Sequence, residues 1–471
     1  MAQHTRRRFL EIAGLLGGGV LLNTTLGSRP ALAAPPGGDP DGLLLAVYFN
    51  GGWDQLMLFD PRDHTDPRFS TTDGIAASGI QTAYNLITDS GVRAVMDATG
   101  GRGIQQRGNL VFGPAVPEAF MQHYQDLAVI RGIDMETLTH EVGRRYLITG
   151  KFPRGLAAAG SSVGTVVASA HGETRNIPHL AIASEAYNEG HAAYASPIQV
   201  NVPSDMLRVL RPEGRALPAA SQSLLNDFQS LPGCEAATLD ASGQASLYLA
   251  SRQKANLITQ SGDFDLFNFS RNPLLPEVQT LFSALNISSS EINGVKGRAA
   301  LAGQALATGY AQAVSLQLEG GLDDHFASWT SNHAQRLRPA LEALGNLITF
   351  LKGTEYQGSG ASVWSKTTLL VFSEFSRTPR LNASGGRDHH LAASCVVAGP
   401  SIRGNLSYGA TSDRQQAVEF VDVDTGAPTQ DASKARRIRP AEVHHTLLHS
   451  MGLDTSHLSN QSPVLLTGLL R

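Results

Sequence analysis

Carboxylates and histidines follow several apolar segments of this 471-residue chain, each at the point where the segment ends. Asp54 ends the stretch VYFNGGWD, and Glu374 follows LLVFS. The stretch LQLEGGLDDH places Asp323 and His325 two positions apart, so both side chains can reach one ion. Like charges gathered in one place repel each other unless cations neutralise them. These residues therefore predict a site for one or two divalent metal ions.

A second group of donors, Asp388, His389 and His390, ends the stretch SGGRDHH. Imidazole nitrogen combined with carboxylate oxygen is typical of Zn²⁺, Mn²⁺ or Fe²⁺ sites rather than of an all-oxygen Ca²⁺ cage. We expect zinc, manganese or calcium, without a choice among them. Each short motif also occurs in ordinary turns and hydrogen-bonded loops. The prediction therefore depends on the motifs meeting in space.

Arginines accompany these groups. Arg377 follows Glu374 by three positions, and Arg144 and Arg145 lie in a predicted helix that begins at His140. Guanidinium groups bind phosphate and sulfate oxygens through paired hydrogen bonds, so arginines beside a metal predict a site for a small anionic ester. The alternative is that Arg377 pairs with a carboxylate of its own loop and only stabilises that loop.

The elements that must position these residues are apolar runs that alternate with amphipathic ones. The sequence predicts strands over 43–49, 127–133, 313–319, 366–375 and 393–399, and helices over 140–150, 298–310, 333–353 and 441–453. This alternation indicates an α/β fold with a mostly parallel, helix-covered sheet. The carboxyl ends of parallel strands meet at one edge, where ligands bind. The region from about 155 to 290 is less regular, and we interpret it as an insertion or cap.

Residues 1–33 are typical of an export signal. Three arginines at 6–8 precede the apolar run Ile12–Leu22, and Ala31–Ala33 offers a cleavage site. The order TRRRFL matches the twin-arginine signal closely. The apolar run is too short for a hydrocarbon layer of about 30 Å. We expect export by the twin-arginine translocase to the periplasm or the medium, and a mature chain without a transmembrane segment.

The bulk composition excludes some partners. The formal net charge is −4, and basic residues cluster only near the N-terminus, so nucleic acid is not expected. The two cysteines, Cys234 and Cys395, form neither a CxxC motif nor a zinc ribbon. They can form one disulfide or remain two separate buried thiols.

Four motifs resemble those of a known group: GGWD, GGLDDH with WTSNH, SEFSRTPRLNASGGRDHH, and AEVHHTLLHSMGLD. The group is a widespread bacterial family of twin-arginine-exported proteins, a domain of unknown function placed with the sulfatase-like, alkaline-phosphatase-type metallohydrolases. The resemblance extends from about residue 43 to 470. It implies one domain over 34–471 with an alkaline-phosphatase-like three-layer sandwich, a mostly parallel central sheet with helices on both faces.

The resemblance also implies metal ligands. One ion is expected at Asp54 and Glu374. Phe375 stands where the superfamily has a histidine, so this ion would be absent, short of a ligand, or completed by Asp388. A second ion is expected at the remaining donors, Asp323, His325 and either His389 or His390.

The resemblance further implies a nucleophile. Thr139, just before a predicted helix, matches the nucleophile position, and Arg144 or Arg377 would hold the non-bridging oxygens of the ester. An ordinary N-cap is the alternative role for Thr139. Neither cysteine lies in the C-x-P-x-R context from which sulfatases make their modified nucleophile.

Two functions follow as hypotheses. The first is an exported metal-dependent hydrolase of phosphate or sulfate esters, with a small anionic ester or a sulfated or phosphorylated glycan as substrate. The second is a non-catalytic exported protein of the same fold that binds an anionic glycan or an envelope partner.

Overall fold

A computed structural model of the chain describes residues 39–210 and 264–471, together with residues 220, 221, 223, 224 and 227. The strands in this part, numbered along the chain, are β1 (Leu43–Phe49), β2 (Gln105–Arg107), β3 (Leu110–Phe112), β4 (Ala128–Asp134), β5 (His179–Ile182), β6 (Ile198–Val200), β7 (Ala313–Glu319), β8 (Thr367–Phe372), β9 (Ser376–Arg377), β10 (His389–His390), β11 (Ala392–Ala398), β12 (Leu406–Gly409), β13 (Val421–Asp422) and β14 (Ala435–Arg436).

The α-helices in the same part are α1 (Pro67–Ser70), α2 (Thr72–Ser78), α3 (Ser90–Ala98), α4 (Glu118–Met121), α5 (His140–Thr149), α6 (Val163–His171), α7 (Pro203–Leu210), α8 (Phe264–Phe267), α9 (Pro276–Leu285), α10 (Val295–Ala307), α11 (Trp329–Gly353), α12 (Val363–Lys366) and α13 (Pro440–Ser450). Short 3₁₀ turns lie at Tyr84–Leu86, Ala193–Ala195, Ser289–Glu291, Ser456–Gln461 and Thr467–Leu469.

Eight strands form the central sheet in the order β12-β4-β11-β8-β1-β7-β5-β6. Neighbours pair in parallel except β11, which is antiparallel to both β4 and β8. The sequence prediction of an α/β fold with a mostly parallel central sheet is therefore confirmed. The antiparallel strand follows from its connection: the two-stranded antiparallel ribbon β9–β10 turns the chain back at the edge where β8 ends, and no crossover carries it to the opposite edge.

Alternate residues of β1 face opposite layers. Leu43, Leu45 and Val47 pack in one buried cluster with residues of α9, α10 and α11. Leu44 and Ala46 pack in a second cluster with residues of α5, α6 and α13. Helices thus cover both faces of the sheet, which explains why β1 is a continuous apolar run with all seven residues buried.

The region 155–290 contributes to the sheet as well as to its surroundings. β5 and β6 lie in this range and are hydrogen-bonded strands at one edge of the central sheet. The proposed cap includes residues outside the described ranges, so its boundaries stay a prediction.

Two further predictions concern residues outside the described ranges. Cys395 is a free, buried cysteine on β11, whereas Cys234 lies outside the described residues. The export signal over 1–33 lies outside them as well. Among the described residues, no helix is long and apolar enough to cross a membrane.

The sheet topology collects the predicted site at one edge. The segments carrying Asp54, Asp323 and Glu374 leave the carboxyl ends of β1, β7 and β8, and α5 follows the carboxyl end of β4. Because β11 runs the other way, the residues just before it, His389 and His390, lie at the same edge.

Candidate metal centre

Three histidine side chains point one nitrogen each at the same carboxylate oxygen. The Nε2 atoms of His140, His325 and His389 lie 3.2, 2.9 and 3.1 Å from Asp323 Oδ1. The Nε2 atoms of His325 and His389 are 3.0 Å apart. Ligand atoms of His140, Asp323 and His389 all lie within 4.8 Å of one another, and His325 adjoins this group. We call these four residues the histidine cluster.

The opposite nitrogen of each ring is held by an acceptor. Nδ1 of His140 lies 2.8 Å from Glu374 Oε1, and Nδ1 of His325 lies 2.8 Å from Asp388 Oδ1. Nδ1 of His389 lies 2.7 Å from the Leu138 carbonyl oxygen. Carbonyl and carboxylate oxygens only accept, so each Nδ1 carries the hydrogen.

The tautomer that follows leaves the three Nε2 atoms as unprotonated acceptors, of which His325 Nε2 has the Arg377 Nη1 donor 3.5 Å away. His140 Nε2 is buried and has no aligned hydrogen-bond partner, although Asp323 Oδ1 is 3.2 Å away. Lone pairs that face each other at about 3 Å repel unless a proton or a metal ion lies between them. Imidazoles held at Nδ1 by carboxylates or carbonyls are the usual arrangement of histidine metal ligands. The geometry therefore suits a divalent cation.

Tight backbone contacts bring these side chains together. Gly143 lies one turn into α5, and a Cβ atom there would come within 2.5 Å of the Glu374 carbonyl oxygen. This close approach lets His140, three residues earlier on α5, reach the Glu374 carboxylate. Gly51 has φ +115°, and a Cβ on it would lie 2.6 Å from the Leu322 backbone nitrogen. The left-handed turn at Gly51 after β1 thus lets the chain pack closely against the loop that carries Asp323.

Glu374 orients His140 instead of facing the centre of the cluster. It is fully buried, and its Oε1 accepts from the Gly51 N–H at 2.8 Å as well as from His140. Its Oε2 accepts from the Ser373 hydroxyl at 3.0 Å. Burial raises the pKa of Glu374, but the His140 hydrogen bond and charge outweigh this, so the pKa is lowered overall. Glu374 therefore stays an anion beside His140.

The pKa of His140 is raised. Burial disfavours the imidazolium, but the hydrogen bond and charge of Glu374, together with the charge of Asp323, favour it more strongly. The pKa of His389 is lowered, first by burial. A proton is therefore held more readily on His140 than on His389, and a metal ion at this cluster would have to displace it.

Arg377 is fully buried against the histidine cluster. Its guanidinium donates to Asp323 Oδ1 at 2.6 Å, to the Gly52 carbonyl at 3.0 Å and to the Arg387 carbonyl at 3.2 Å, and also to the Gly51 carbonyl. Burial raises the pKa of Asp323, but Arg377 and His389 hold it well below its usual range. Arg377 therefore links three loops and neutralises Asp323.

Asp54, predicted as a metal ligand, has its oxygens engaged by protein groups instead. Oδ2 lies 3.0 Å from Arg387 Nε and accepts from the Trp329 indole N–H at 3.0 Å. Oδ1 accepts from the Leu56 backbone N–H at 3.0 Å. Asp54 and Arg387 are both buried, and a buried arginine requires such a counterion. Asp54 is thus outside the histidine cluster.

The network around Asp54 supports the loops that carry Asp323 and His389. The Asp54 N–H donates to His333 Nε2 at 2.9 Å, and His333 Nδ1 lies 2.9 Å from Oδ2 of Asp324, the neighbour of Asp323. The Arg387 N–H donates to the Asp324 carbonyl at 3.0 Å. Sequence spacing could not reveal this network, because its members come from four separated segments.

The other predicted residues occupy different positions around the centre. His390 Nε2 lies 3.0 Å from the Gln415 carbonyl, so this histidine binds backbone and not the cluster. Asp388, an expected ligand, orients His325. Arg144 donates to Glu185 at 2.6 Å. Thr139 is exposed at the N-cap of α5 and makes no side-chain capping bond.

Two residues stand out against the sequence expectations. His140, which the sequence placed only at the start of a predicted helix, belongs to the cluster because α5 begins at the edge where β4 ends. Phe375, where the resemblance expects a histidine, is buried, with its ring centroid 4.7 Å from that of His140 and 4.4 Å from that of His389. Phe375 therefore forms an apolar wall for two imidazoles.

Comparisons with known proteins bear on the second half of the chain. Residues 277–465 match a family described as "Protein of unknown function (DUF1501)". This segment of the chain is similar to a domain of unknown function. It contains Asp323, His325 and His389, but not His140.

A search of curated proteins found no match. Among solved structures, "Crystal structure of Ps i-CgsB in complex with k-i-k-neocarrahexaose" is similar with 8% identity and a TM-score of 0.34, over 90% of this chain and 75% of that chain. A likeness at this TM-score carries no argument about function.

Proposed function

We propose that the protein is a metal-dependent hydrolase of phosphate or sulfate esters, with one divalent ion held by His140, His325, His389 and Asp323. The orientation of the imidazoles carries this proposal. Each Nδ1–H is committed to an acceptor, and each bare Nε2 lies within 3.2 Å of one carboxylate oxygen. Three imidazole nitrogens with one carboxylate oxygen suit zinc best, whereas calcium prefers oxygen ligands throughout.

This ligand set differs from the two-ion arrangement expected from the sequence. Asp54 leaves the set because it neutralises Arg387. Glu374 leaves it because its hydrogen bonds orient His140. Two ion sites were expected from the sequence, and the donors that remain form one proposed centre.

An ion held by these four residues would supply Lewis-acid chemistry towards an ester oxygen if its coordination expanded to a fifth ligand. The chain's own residues prepare the site for that chemistry. Glu374 and Asp388 orient two of the ligands, and Arg377 lowers the repulsion around Asp323. The Asp323 side chain is 47% exposed, so the site opens to solvent and to a substrate.

Thr139 is the proposed nucleophile. Its side chain is exposed, makes no capping bond, and precedes His140 by one residue. The hydroxyl of a capping threonine accepts a hydrogen bond from a backbone N–H of its helix, whereas the Thr139 hydroxyl makes no such bond. Its activation would come from the ion at the neighbouring histidine. Water is the competing nucleophile, and mutation of Thr139 separates the two.

The substrate class rests on the resemblance of the motifs to sulfatase-like, alkaline-phosphatase-type hydrolases. We extend the proposal to an alkaline-phosphatase-like arrangement of the three layers, supported by the mostly parallel sheet with the cluster at its carboxyl edge. We also propose that residues 1–33 direct twin-arginine export to the periplasm or the medium, on the evidence of TRRRFL.

One observation favours the second candidate function, a non-catalytic protein that binds an anionic glycan or an envelope partner. Arg144 is paired with Glu185, and Arg377 is fully buried with its guanidinium donating to Asp323 and to backbone carbonyls. Both arginines expected to hold the ester oxygens are therefore committed to protein acceptors.

Metal analysis of the purified chain tests the centre. We expect about one zinc per wild-type chain and a large loss of zinc in His389→Ala, because His389 contributes one of four ligands. His445→Ala is the control, since His445 lies on α13 outside the cluster. A wild-type chain that binds no divalent metal would refute the centre and the hydrolase together.

Ester hydrolysis tests the reaction. The zinc-loaded chain is assayed on 4-nitrophenyl phosphate, bis(4-nitrophenyl) phosphate and 4-nitrophenyl sulfate. If Thr139 is the nucleophile, Thr139→Ala loses turnover but keeps zinc. Thr72→Ala, another exposed threonine at a helix start, keeps both. Activity that survives Thr139→Ala assigns the attack to water, and zinc without activity on any ester supports the non-catalytic function.

A further inference from the structure

Three exposed apolar side chains flank the histidine cluster. Leu138 precedes His140 by two residues, Phe326 directly follows His325, and Leu391 follows His389 by two. They are 46%, 67% and 45% exposed. We call them the apolar rim. Single exposed apolar residues are ordinary, but three of the eight large ones exposed among the described residues lie beside this one site.

Backbone contacts place each rim residue beside a segment that leads to the histidine cluster. The Leu138 carbonyl accepts from His389 Nδ1 at 2.7 Å. The Leu391 carbonyl accepts from the Met135 N–H at 3.0 Å, which sets Leu391 beside the segment leading to Leu138. Phe326 forms an isolated β-bridge with Gly385, in the loop that leads to His389.

The cluster itself connects the segments that carry the rim residues. The His325 and His389 rings have centroids 4.7 Å apart, so the segments with Phe326 and Leu391 meet at adjoining imidazoles. The Asp323 side chain at the same cluster is 47% exposed. An ester group at the ion would therefore meet apolar side chains as it leaves the site.

We propose that the apolar rim binds an apolar group attached to the ester, so that the substrates are aryl or alkyl esters and not esters of polyols. This inference rests on the proposed function. The rim exposes roughly 300 Å² in all, far below the roughly 800 Å² per partner of a stable protein interface. An area of this size matches the apolar part of a small molecule, which we take as the occupant in preference to a second chain.

The physical reason for selectivity is the transfer of apolar surface out of water. A phenyl ring seated on the rim loses exposed apolar area, whereas a methyl group loses little. A sugar or glycerol group would bring hydroxyls against leucine and phenylalanine side chains and would have to give up water for them. The rim therefore discriminates by the group next to the ester oxygen.

Binding of two non-hydrolysable probes to the zinc-loaded chain tests the rim without relying on turnover. Phenylphosphonate and methylphosphonate share the anionic group and differ in the apolar one. We expect wild type to bind phenylphosphonate about tenfold more tightly, by calorimetry. Phe326→Ser and Leu391→Ser should each reduce this ratio severalfold and leave methylphosphonate binding unchanged. Leu86→Ser is the matched control, because Leu86 is 45% exposed and remote in sequence from the cluster.

The outcomes separate this inference from the function on which it rests. Equal binding of the two phosphonates, or a ratio that the rim variants do not change, overturns the rim alone. Bound zinc without phosphonate binding overturns the ester hydrolase and the rim together. A wild-type dimer in sedimentation that Phe326→Ser dissociates, with the phosphonate ratio unchanged, overturns the inference in favour of a second copy as the occupant.

Discussion

Replacement of Glu374 by glutamine tests whether the orientation of His140 creates the metal centre. Glu374 is buried and accepts from His140 Nδ1 at 2.8 Å and from the Gly51 N–H at 2.8 Å. Glutamine has nearly the same shape, and its amide oxygen can accept both hydrogens. The change therefore removes the negative charge and leaves the packing against His140 in place.

The expected loss of zinc affinity follows from that contact. Removal of a hydrogen-bonding partner behind a ligand costs about 10- to 100-fold in metal affinity, or about 1.4 to 2.7 kcal/mol. A hydrogen bond to a carboxylate is about twice as strong as one to a neutral amide, and glutamine keeps the weaker bond. We therefore expect Glu374→Gln to lie near the tenfold end and Glu374→Ala near the hundredfold end.

Zinc titration against a competing chelator measures both affinities, and thermal unfolding of the metal-free proteins shows whether the fold is kept. Glu442→Gln is the control, because Glu442 is equally buried but caps α13 through Arg439. It should leave zinc affinity unchanged. If Glu374→Gln binds zinc within twofold of wild type while His140→Ala does not, the orienting role of Glu374 is refuted. If His140→Ala also binds normally, His140 is not a ligand.

Three other predictions concern stability and pH. Asp54→Ala leaves Arg387 buried without its counterion and should lower the free energy of unfolding by about 3 to 5 kcal/mol, measured by urea denaturation. The control is Asp413→Ala, which removes a half-exposed partner of Arg62 and should cost less than about 1 kcal/mol. Burial lowers the pKa of His179 to about 3, so its neutral form contributes stability above pH 6.5 that is lost as the pH falls towards 3. Between pH 6.5 and 5 that loss is about 2 kcal/mol, and His179→Gln should abolish it; an unchanged pH slope contradicts the assignment. The pKa of His140 is raised above 6.5, so protons compete with zinc for this ligand at lower pH. Zinc affinity should therefore fall about tenfold per pH unit below that pKa. Calorimetry at pH 8 and pH 6 measures this, and equal affinities would exclude proton competition.

Sequence reasoning predicted the strands well because their cause is local. Strands β1 and β7 have the predicted bounds, and β4, β8 and β11 differ by a few residues at their ends. Burial between two helical layers requires a continuous apolar run, and such a run is visible in the sequence. The reversed direction of β11 is not visible in this way, since it depends on the β9–β10 ribbon that replaces a crossover.

For the candidate site, the sequence by itself determined which residue types stand at the strand ends, and therefore brought Asp323, His325 and His389 into consideration. Only the tertiary structure decided which side chains face one another. His140 and Glu374 are 234 positions apart, and their hydrogen bond depends on how α5 packs against the segment that follows β8. Asp54 is diverted to Arg387 in the same way. A donor's residue type is a property of the sequence, whereas the direction of its lone pair is set by tertiary contacts.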